Sequence, residues 1–320
     1  MKIYWDKGIV IDVKGSTLCL DPQTANSRYQ NILISHAHKD HTAGFSALKP
    51  KKYATHQTVE IYEAYSGRKV TNVKRLKYGE KVRIEDFEVT AYNSGHILGS
   101  AMFKIETEEE TIVYTGDLNC VNTLVTKAAT PFRCDVLIIE ATYGKPDLVF
   151  PKREKVYRWI VEWVLRKIKE KKVPVFYVYP IGKSQEIIKV LNEFTRVEVA
   201  VHPAIERVNR VYRRQAINLK THQTKPRNGF VAVYPNYTYN RPKSRNEEAV
   251  FATGWAIKYK DKEKAFPLSS HADFYQLLRF VEKAKPKTVY TVFGYNQNLA
   301  YSIRRKLGID AKPIPPKKFG

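Results

Sequence analysis

The chain has 320 residues, of which 43% are apolar and 27% are charged, and it carries a formal net charge of +23. This length permits a large core and, as a prior, about two domains of roughly 150 residues each. No apolar run approaches the roughly 18 residues of a membrane span, and the N-terminus does not resemble a signal peptide, so membrane proteins are excluded and a cytoplasmic protein is expected.

The strong positive charge predicts a polyanionic partner, because Lys and Arg side chains gain free energy when they displace counterions from phosphates. A solvated basic surface, such as occurs in proteins from hot environments, is the alternative. The three cysteines, Cys19, Cys120 and Cys134, are odd in number and widely spaced, which does not favour a disulfide framework or a CxxC metal site. We expect them to be small buried residues.

Residues 2 to 140 read as short β segments separated by turns, which predicts a β-rich layer. From residue 151, apolar residues at helical spacing predict a helix over REKVYRWIVEWVLRKIKEKK, and the buried strand VPVFYVYP follows it. SQEIIKVLNEF predicts a second helix with Ser184 as its N-cap.

The block of residues 151–245 concentrates the positive charge of the chain. It holds 22 Lys or Arg and 7 Asp or Glu, so it contributes +15 of the net charge. After it the β pattern resumes, with a helix predicted over DFYQLLRFVEKA. We therefore predict a domain over residues 1–150 that continues over 246–320, with a basic domain inserted at 151–245.

The stretch ISHAHKDHTAG, residues 34 to 44, begins at the end of the apolar run NILIS. Imidazoles together with a carboxylate suit zinc better than magnesium or calcium, which prefer oxygen ligands. His36 and His38 can point the same way from extended backbone, whereas Asp40 and His41 turn toward a second position, so the loop suits two adjacent ions. A surface cluster of His and Asp is the alternative.

Two later strand ends supply further candidate ligands. His96 lies in YNSGHILGS, where glycines permit close approach of the backbone, and Asp117 follows a glycine in VYTGDLN. A single His or Asp at a strand end is usually structural. Three strand-end candidates in this order indicate one metal centre.

These motifs resemble those of the metallo-β-lactamase superfamily, whose HxHxDH signature matches residues 36 to 41. The resemblance implies a four-layer αββα sandwich with the site at the edge of two sheets. It implies two Zn²⁺ sites, with Mn²⁺ as a possible replacement, and a hydroxide between the ions as the nucleophile. The implied ligands are His36, His38 and His96 for one ion, Asp40 and His41 for the other, and Asp117 between them.

Three later segments are similar to the β-CASP nucleases of this superfamily. IIEATYG resembles their motif A with Glu140 as its carboxylate, YPIGKSQEI resembles the PxGxxQE segment of their inserted domain, and PLSSHADF resembles motif B with His271. The resemblance implies an α/β fold with an inserted α/β β-CASP domain. It also implies that Glu140 orients His271, which protonates the leaving oxygen or contacts the scissile phosphate. A buried structural histidine is the alternative for His271.

The basic block offers two kinds of substrate contact. Residues 182 to 184 form a turn at a helix start that suits a phosphate, with a plain helix cap as the alternative. In VAVYPNYTYNRPKSR, aromatic rings that can stack on unpaired bases alternate with cations that can track phosphates, with a solvated basic turn as the alternative. The predicted substrate-binding residues are Lys183, Ser184, Ser270, Tyr237, Tyr239 and Arg241.

The sequence departs from the family pattern at motif C. Phe293 in YTVFGYN occupies the position of a zinc-binding histidine, so the second metal site is expected to be weak. The DNA-processing branch of the family, which includes Artemis, carries an apolar residue there, and this favours DNA slightly over RNA. The compact length is similar to that of ligase-associated DNA exonucleases, although those relatives tend to keep the histidine.

The leading prediction is a zinc-dependent nuclease that acts on single-stranded nucleic acid. An RNA-processing ribonuclease similar to mRNA 3'-end processing factors and a binding scaffold that has lost catalysis are the alternatives. A small-molecule hydrolase of the same superfamily would leave the basic block and the motifs of Glu140 and His271 unexplained.

Overall fold

The structure of the protein is a computed structural model that describes residues 1–25, 28–259 and 264–317. The chain divides into two compact units. Unit 1 comprises Met1–Val121, Lys127–Leu148 and His271–Gly320, and unit 2 comprises Asn122–Thr126 and Val149–Ser270. Among the described residues, no helix combines the length and the apolar character that crossing a membrane requires.

Strands predominate up to residue 140, and helices alternate with strands over much of the chain after it. Up to residue 140 they are β1 (Lys2–Trp5), β2 (Ile9–Val13), β3 (Ser16–Leu20), β4 (Asn31–Leu33), β5 (Lys51–Thr55), α1 (His56–Ser66), β6 (Val73–Leu76), β7 (Lys81–Ile84), β8 (Phe87–Asn93), β9 (Ala101–Glu106), β10 (Thr111–Tyr114) and β11 (Val136–Glu140). After it they are α2 (Arg153–Lys169), β12 (Val173–Val178), α3 (Lys183–Phe194), β13 (Glu198–Val201), α4 (Pro203–Arg214), β14 (Phe230–Pro235), β15 (Glu247–Ala252), β16 (Ala265–Phe266), α5 (Phe274–Ala284), β17 (Thr288–Val292), α6 (Asn296–Leu307) and β18 (Asp310–Pro313).

Unit 1 contains two sheets packed face to face. One has the strand order β1-β2-β3-β4-β5-β6 and the other β18-β17-β11-β10-β9-β8-β7. A core that includes Leu18 and Leu33 of the first sheet and Phe103 and Ile138 of the second fills the space between them. These residues recur at every second position of their strands, because side chains alternate between the faces of a sheet.

Helices cover the outer faces of both sheets. Val59 of α1 packs with Ile32 on the outer face of the first sheet. Leu277 of α5 and Ile303 of α6 pack with Leu137 on the outer face of the second. The layers are therefore helix, sheet, sheet and helix, and the αββα sandwich predicted from the sequence is confirmed.

Unit 2 is built on a parallel five-stranded sheet with the order β13-β14-β12-β15-β16. α2, α3 and α4 precede β12, β13 and β14 in sequence, as in other alternating α/β folds. The structure differs from the predicted return to unit 1 at residue 246, because β15 and β16 pair in this sheet and the chain stays in unit 2 through Ser270. The predicted third segment, 246–320, also includes residues 260–263 and 318–320, which lie outside the described residues.

Candidate metal centre and acid–base pair

The predicted ligands of unit 1 lie in loops that directly follow strands. His36 and His38 follow β4, His96 follows β8 and Asp117 follows β10, while Glu140 is the last residue of β11. β10, β11 and β17 are parallel neighbours, so their carboxyl ends meet at one edge of the sheet. The fold thereby gathers side chains that are far apart in sequence.

Four of the predicted ligands form a compact buried group: His36, His38, His96 and Asp117. One ligand atom from each lies within 4.8 Å of the others. Asp117 Oδ2 is 3.3 Å from His36 Nε2 and 3.4 Å from His96 Nε2. His36 Nε2 is buried and has no hydrogen-bond partner among the described residues, which is the state of a metal-binding nitrogen before the ion binds. Three imidazoles and one carboxylate fit a tetrahedral divalent ion.

Asp21 and Ser35, which the sequence reasoning missed, set the tautomers of two imidazoles. Asp21 accepts hydrogen bonds from Ser35 Oγ at 2.5 Å and Tyr114 Oη at 2.6 Å, and its Oδ2 is 2.8 Å from His41 Nδ1. Because the Ser35 hydroxyl proton points to Asp21, Ser35 Oγ accepts from His36 Nδ1 at 2.9 Å. The Nε2 atom of His36 is therefore left with a lone pair for a metal, whereas Nε2 of His41 would have to lose its proton before it could bind one.

The second predicted position is less complete than the first. His41 Nε2 lies 3.6 Å from Asp117 Oδ1 and 3.7 Å from Asp40 Oδ2, but the Asp40 side chain is 70% exposed. The Phe293 ring is 5.4 Å from the His41 ring and packs edge-on against Trp5 at 6.2 Å. An apolar ring thus borders the position that lacks the histidine of the family pattern.

Burial and neighbouring charges shift the pKa values of these groups in the metal-free chain. Burial raises the pKa of the Asp117 carboxyl to about 6. Burial and the imidazole of His41 lower the pKa of His36 well below its usual range, so His36 is neutral. Burial opposes a charge on His41 as well, but the carboxylates of Asp117 and Asp21 outweigh it and raise the pKa of His41 to about 10.

Glu140 and His271 form a hydrogen-bonded pair beside the four-ligand group. His271 Nδ1 is 2.9 Å from Glu140 Oε1, and His271 Nε2 is 3.8 Å from Asp117 Oδ2. Glu140 is fully buried and also accepts from the amides of Leu118 at 2.7 Å and Thr142 at 3.2 Å. Burial raises the pKa of Glu140, but the charge of His271 and these hydrogen bonds outweigh it and lower the pKa below its usual value. Glu140 is therefore an anion that can orient and charge His271.

The predicted phosphate turn of unit 2 lies at the start of α3. The N-cap of α3 is Gly182, whose φ of +87° few other residues adopt, and not Ser184 as predicted. Ser184 is fully buried, and its amide at 3.3 Å and its hydroxyl at 2.7 Å both donate to the carbonyl of Tyr179. Ser184 is thus committed to closing the turn. Lys183 Nζ lies 5.6 Å from the centre of the Tyr179 ring.

The predicted stacking residues of unit 2 differ in how accessible they are. Tyr237 is 62% exposed. Tyr239 is 38% exposed, and Lys243 Nζ lies 3.5 Å over its ring. Arg241 donates to Glu247 at 2.6 Å and lies 4.6 Å over the Tyr234 ring, so its charge is already paired. Ser270 is buried directly before His271.

Residues 10–171 match the family model described as the beta-lactamase superfamily domain. A probable DNA ligase of Opitutus terrae is 31% identical over 301 residues, an alignment that covers 88% of this chain and 28% of the ligase. An RNase J-like protein of Methanocaldococcus jannaschii is 32% identical over 194 residues, covering 55% of this chain and 46% of that protein.

Two further comparisons extend these matches. Subunit 3 of the cleavage and polyadenylation specificity factor of Dictyostelium discoideum is 30% identical over 205 residues, covering 53% of this chain and 26% of that protein. A crystal structure of a protein of unknown function from Enterococcus faecalis superimposes with a TM-score of 0.67 at 12% identity, covering 99% of this chain and 98% of the other. This chain therefore spans less than half the length of the named relatives, and the structural match supports the fold.

Proposed function

We propose, because the chain belongs to the beta-lactamase superfamily and within it to the β-CASP family, that it is a metal-dependent nuclease of single-stranded nucleic acid. The observation that carries the proposal is the 3.8 Å between His271 Nε2 and Asp117 Oδ2, which puts an acid–base pair beside the metal ligands. The two parts complement each other, because a metal site activates water and an acid–base pair stabilises or protonates the leaving group.

The residues of unit 1 have separate roles in this proposal. His36, His38, His96 and Asp117 would hold a divalent ion, for which Zn²⁺ is the best match to the donor set. When bound, the ion supplies a water of lowered pKa as nucleophile and a positive charge for the phosphate. His271 donates a proton from Nε2 to the leaving oxygen, and Glu140 holds its Nδ1 and stabilises the imidazolium.

We propose DNA as the substrate, on two supports. Phe293 stands in place of the metal-binding histidine of motif C, and the DNA-processing branch of the family also carries an apolar residue there. The relative that aligns with 88% of this chain is named as a probable DNA ligase. RNA is the second candidate, because several relatives are named as ribonucleases, including the RNase J-like protein. A third possibility, motivated by Phe293, is a nucleic-acid-binding scaffold that has lost catalysis.

The test uses end-labelled single strands of DNA and RNA with the same sequence, incubated with the protein and Zn²⁺ or Mn²⁺. We expect cleavage by the wild type, none by Asp117→Asn, and a fall in kcat of about 10²- to 10⁴-fold for His271→Asn. Product lengths separate exonuclease from endonuclease action. Equal cleavage by wild type and Asp117→Asn would contradict the proposal. Less than one tightly bound ion per chain together with intact strands would favour the binding scaffold.

A further inference from the structure

A buried ion pair in unit 2 joins three segments of the chain. Arg153, the first residue of α2, donates one arm of its guanidinium to Glu186 of α3 and the other to the backbone carbonyl of Ser269. The hydroxyl of Tyr157 donates to the same Glu186 oxygen at 2.5 Å. The side chains of Arg153 and Glu186 are 10% and 2% exposed. Only the planar fork of an arginine reaches two acceptors in this way.

Stability alone does not account for this pair. Moving two charges out of water is costly, and the attraction between them often no more than offsets that cost. A buried pair that also holds a backbone carbonyl, however, fixes the position of the chain at that carbonyl. The carbonyl in question belongs to Ser269, which lies two residues before His271.

The chain is tied on the other side of His271 as well. The amide of Ala272 donates to the carbonyl of Leu118 at 2.5 Å, and the amide of Phe274 donates to the carbonyl of Leu148 at 3.2 Å. His271 therefore lies between two fixed points of the backbone, and Arg153 provides the earlier one.

We infer that Arg153 is a positioning residue for His271, acting through the backbone of residues 269–271, and that Glu186 and Tyr157 hold its guanidinium in place. The catalytic part of this inference rests on the proposed function, in which His271 must keep 2.9 Å to Glu140 and 3.8 Å to Asp117. A displacement of about 1 Å in such a geometry is enough to lower a rate by about 10²-fold.

The experiment compares Arg153→Lys with Arg213→Lys in the full-length, metal-loaded protein. Arg213 is a matched control, because it also pairs with a glutamate, Glu206, and donates to a backbone carbonyl, that of Leu219 at 2.9 Å. Both variants keep the positive charge but lose the planar guanidinium, which can donate to two acceptors at once. We expect amide hydrogen exchange at Ala272 to become about tenfold faster or more in Arg153→Lys and to remain unchanged in Arg213→Lys.

The second measurement is kinetic. We expect Arg153→Lys to lower kcat by about 10- to 100-fold with KM and metal content unchanged, and Arg213→Lys to leave kcat unchanged. Glu186→Gln retains an acceptor for Arg153 and Tyr157, so its exchange rate at Ala272 and its kcat should lie between those of Arg153→Lys and the wild type. If Arg153→Lys does not fold, Glu186→Gln is measured in its place.

The outcomes separate the two proposals. Unchanged exchange at Ala272 in Arg153→Lys would overturn the positioning role. Faster exchange with an unchanged kcat would overturn its link to catalysis. Faster exchange in a protein whose wild type cleaves neither DNA nor RNA would support the backbone role of Arg153 and contradict the proposed function instead.

Discussion

Asp21 binds no metal in our proposal, yet it accepts hydrogen bonds from Ser35 and Tyr114 and orients His41. Carboxylates in this position typically raise metal affinity by 10- to 100-fold. We therefore expect Asp21→Asn to weaken metal binding by about 10- to 100-fold, measured by competition with a chelator. Asp12→Asn is the control, because within the described part of the chain Asp12 accepts only from the turn amide of Gly15, at 3.2 Å. Equal affinities in the two variants would contradict an orienting role for Asp21.

The raised pKa of Asp117 makes metal binding dependent on pH. Burial raises the pKa of this carboxyl to about 6, and only the ionised carboxylate binds a cation. Protons therefore compete with the metal as the pH falls through about 6. We expect the dissociation constant for Zn²⁺ to increase about fivefold from pH 6 to pH 5 and to change little from pH 7 to pH 8. Asp117→Asn should show a shallower dependence, and a wild-type affinity that is constant from pH 5 to 8 would disprove this prediction.

In our proposal Phe293 leaves the second metal position one ligand short, so a histidine at this position should strengthen metal binding there. The residue has a φ of +59°, a conformation that histidine adopts more readily than phenylalanine. We expect Phe293→His to increase the tightly bound metal per chain toward two ions, measured by elemental analysis after dialysis. Phe293→Leu, which has no ligand atom, should keep the wild-type content. A metal content that is equal in both variants would contradict the role given to Phe293.

At the scale of the elements, the turn between β8 and β9 must pass very close to a neighbouring loop. A Cβ on Gly95, whose φ is +77°, would lie 2.4 Å from the carbonyl oxygen of Asn119. Gly79 has nearly the same φ, +79°, but no atom within 4 Å of its Cβ position. We expect Gly95→Ala to lower the free energy of unfolding by about 1–3 kcal/mol more than Gly79→Ala, measured by urea unfolding. Equal losses would mean that backbone strain alone determines the cost.

The elements also explain what the sequence can and cannot predict. The candidate metal ligands can be selected from the sequence because their residue types and their positions at strand ends are local features, and Glu140 and His271 can be selected through their motifs. The return to unit 1 was misplaced, because a strand such as β15 has the same local pattern whichever sheet it joins. The role of Asp21 cannot be predicted from the local sequence, because it depends on contacts with Ser35 and His41 that only the fold creates.

At the scale of the whole molecule, the net charge of +23 predicts how the protein responds to salt. Contact with about four phosphates of a single strand would give a slope of about −2.8 in log K against log salt. We therefore expect binding of a single-stranded oligonucleotide by Asp117→Asn, which should bind without cutting, to weaken by about 50-fold between 50 and 200 mM salt. Fluorescence anisotropy measures this change. Binding that is insensitive to salt would contradict an electrostatic interaction with the phosphates.

The hydrogen bond from Phe274 to Leu148 has a consequence for how the chain tolerates change. The chain leaves unit 1 after Leu148 and returns to it at His271, and this hydrogen bond joins the two ends. For the sandwich of unit 1, the residues between these ends are therefore one long closed loop. The entropy of closing such a loop grows only slowly with its length. A change in the length of unit 2 should therefore cost the sandwich of unit 1 little free energy of unfolding.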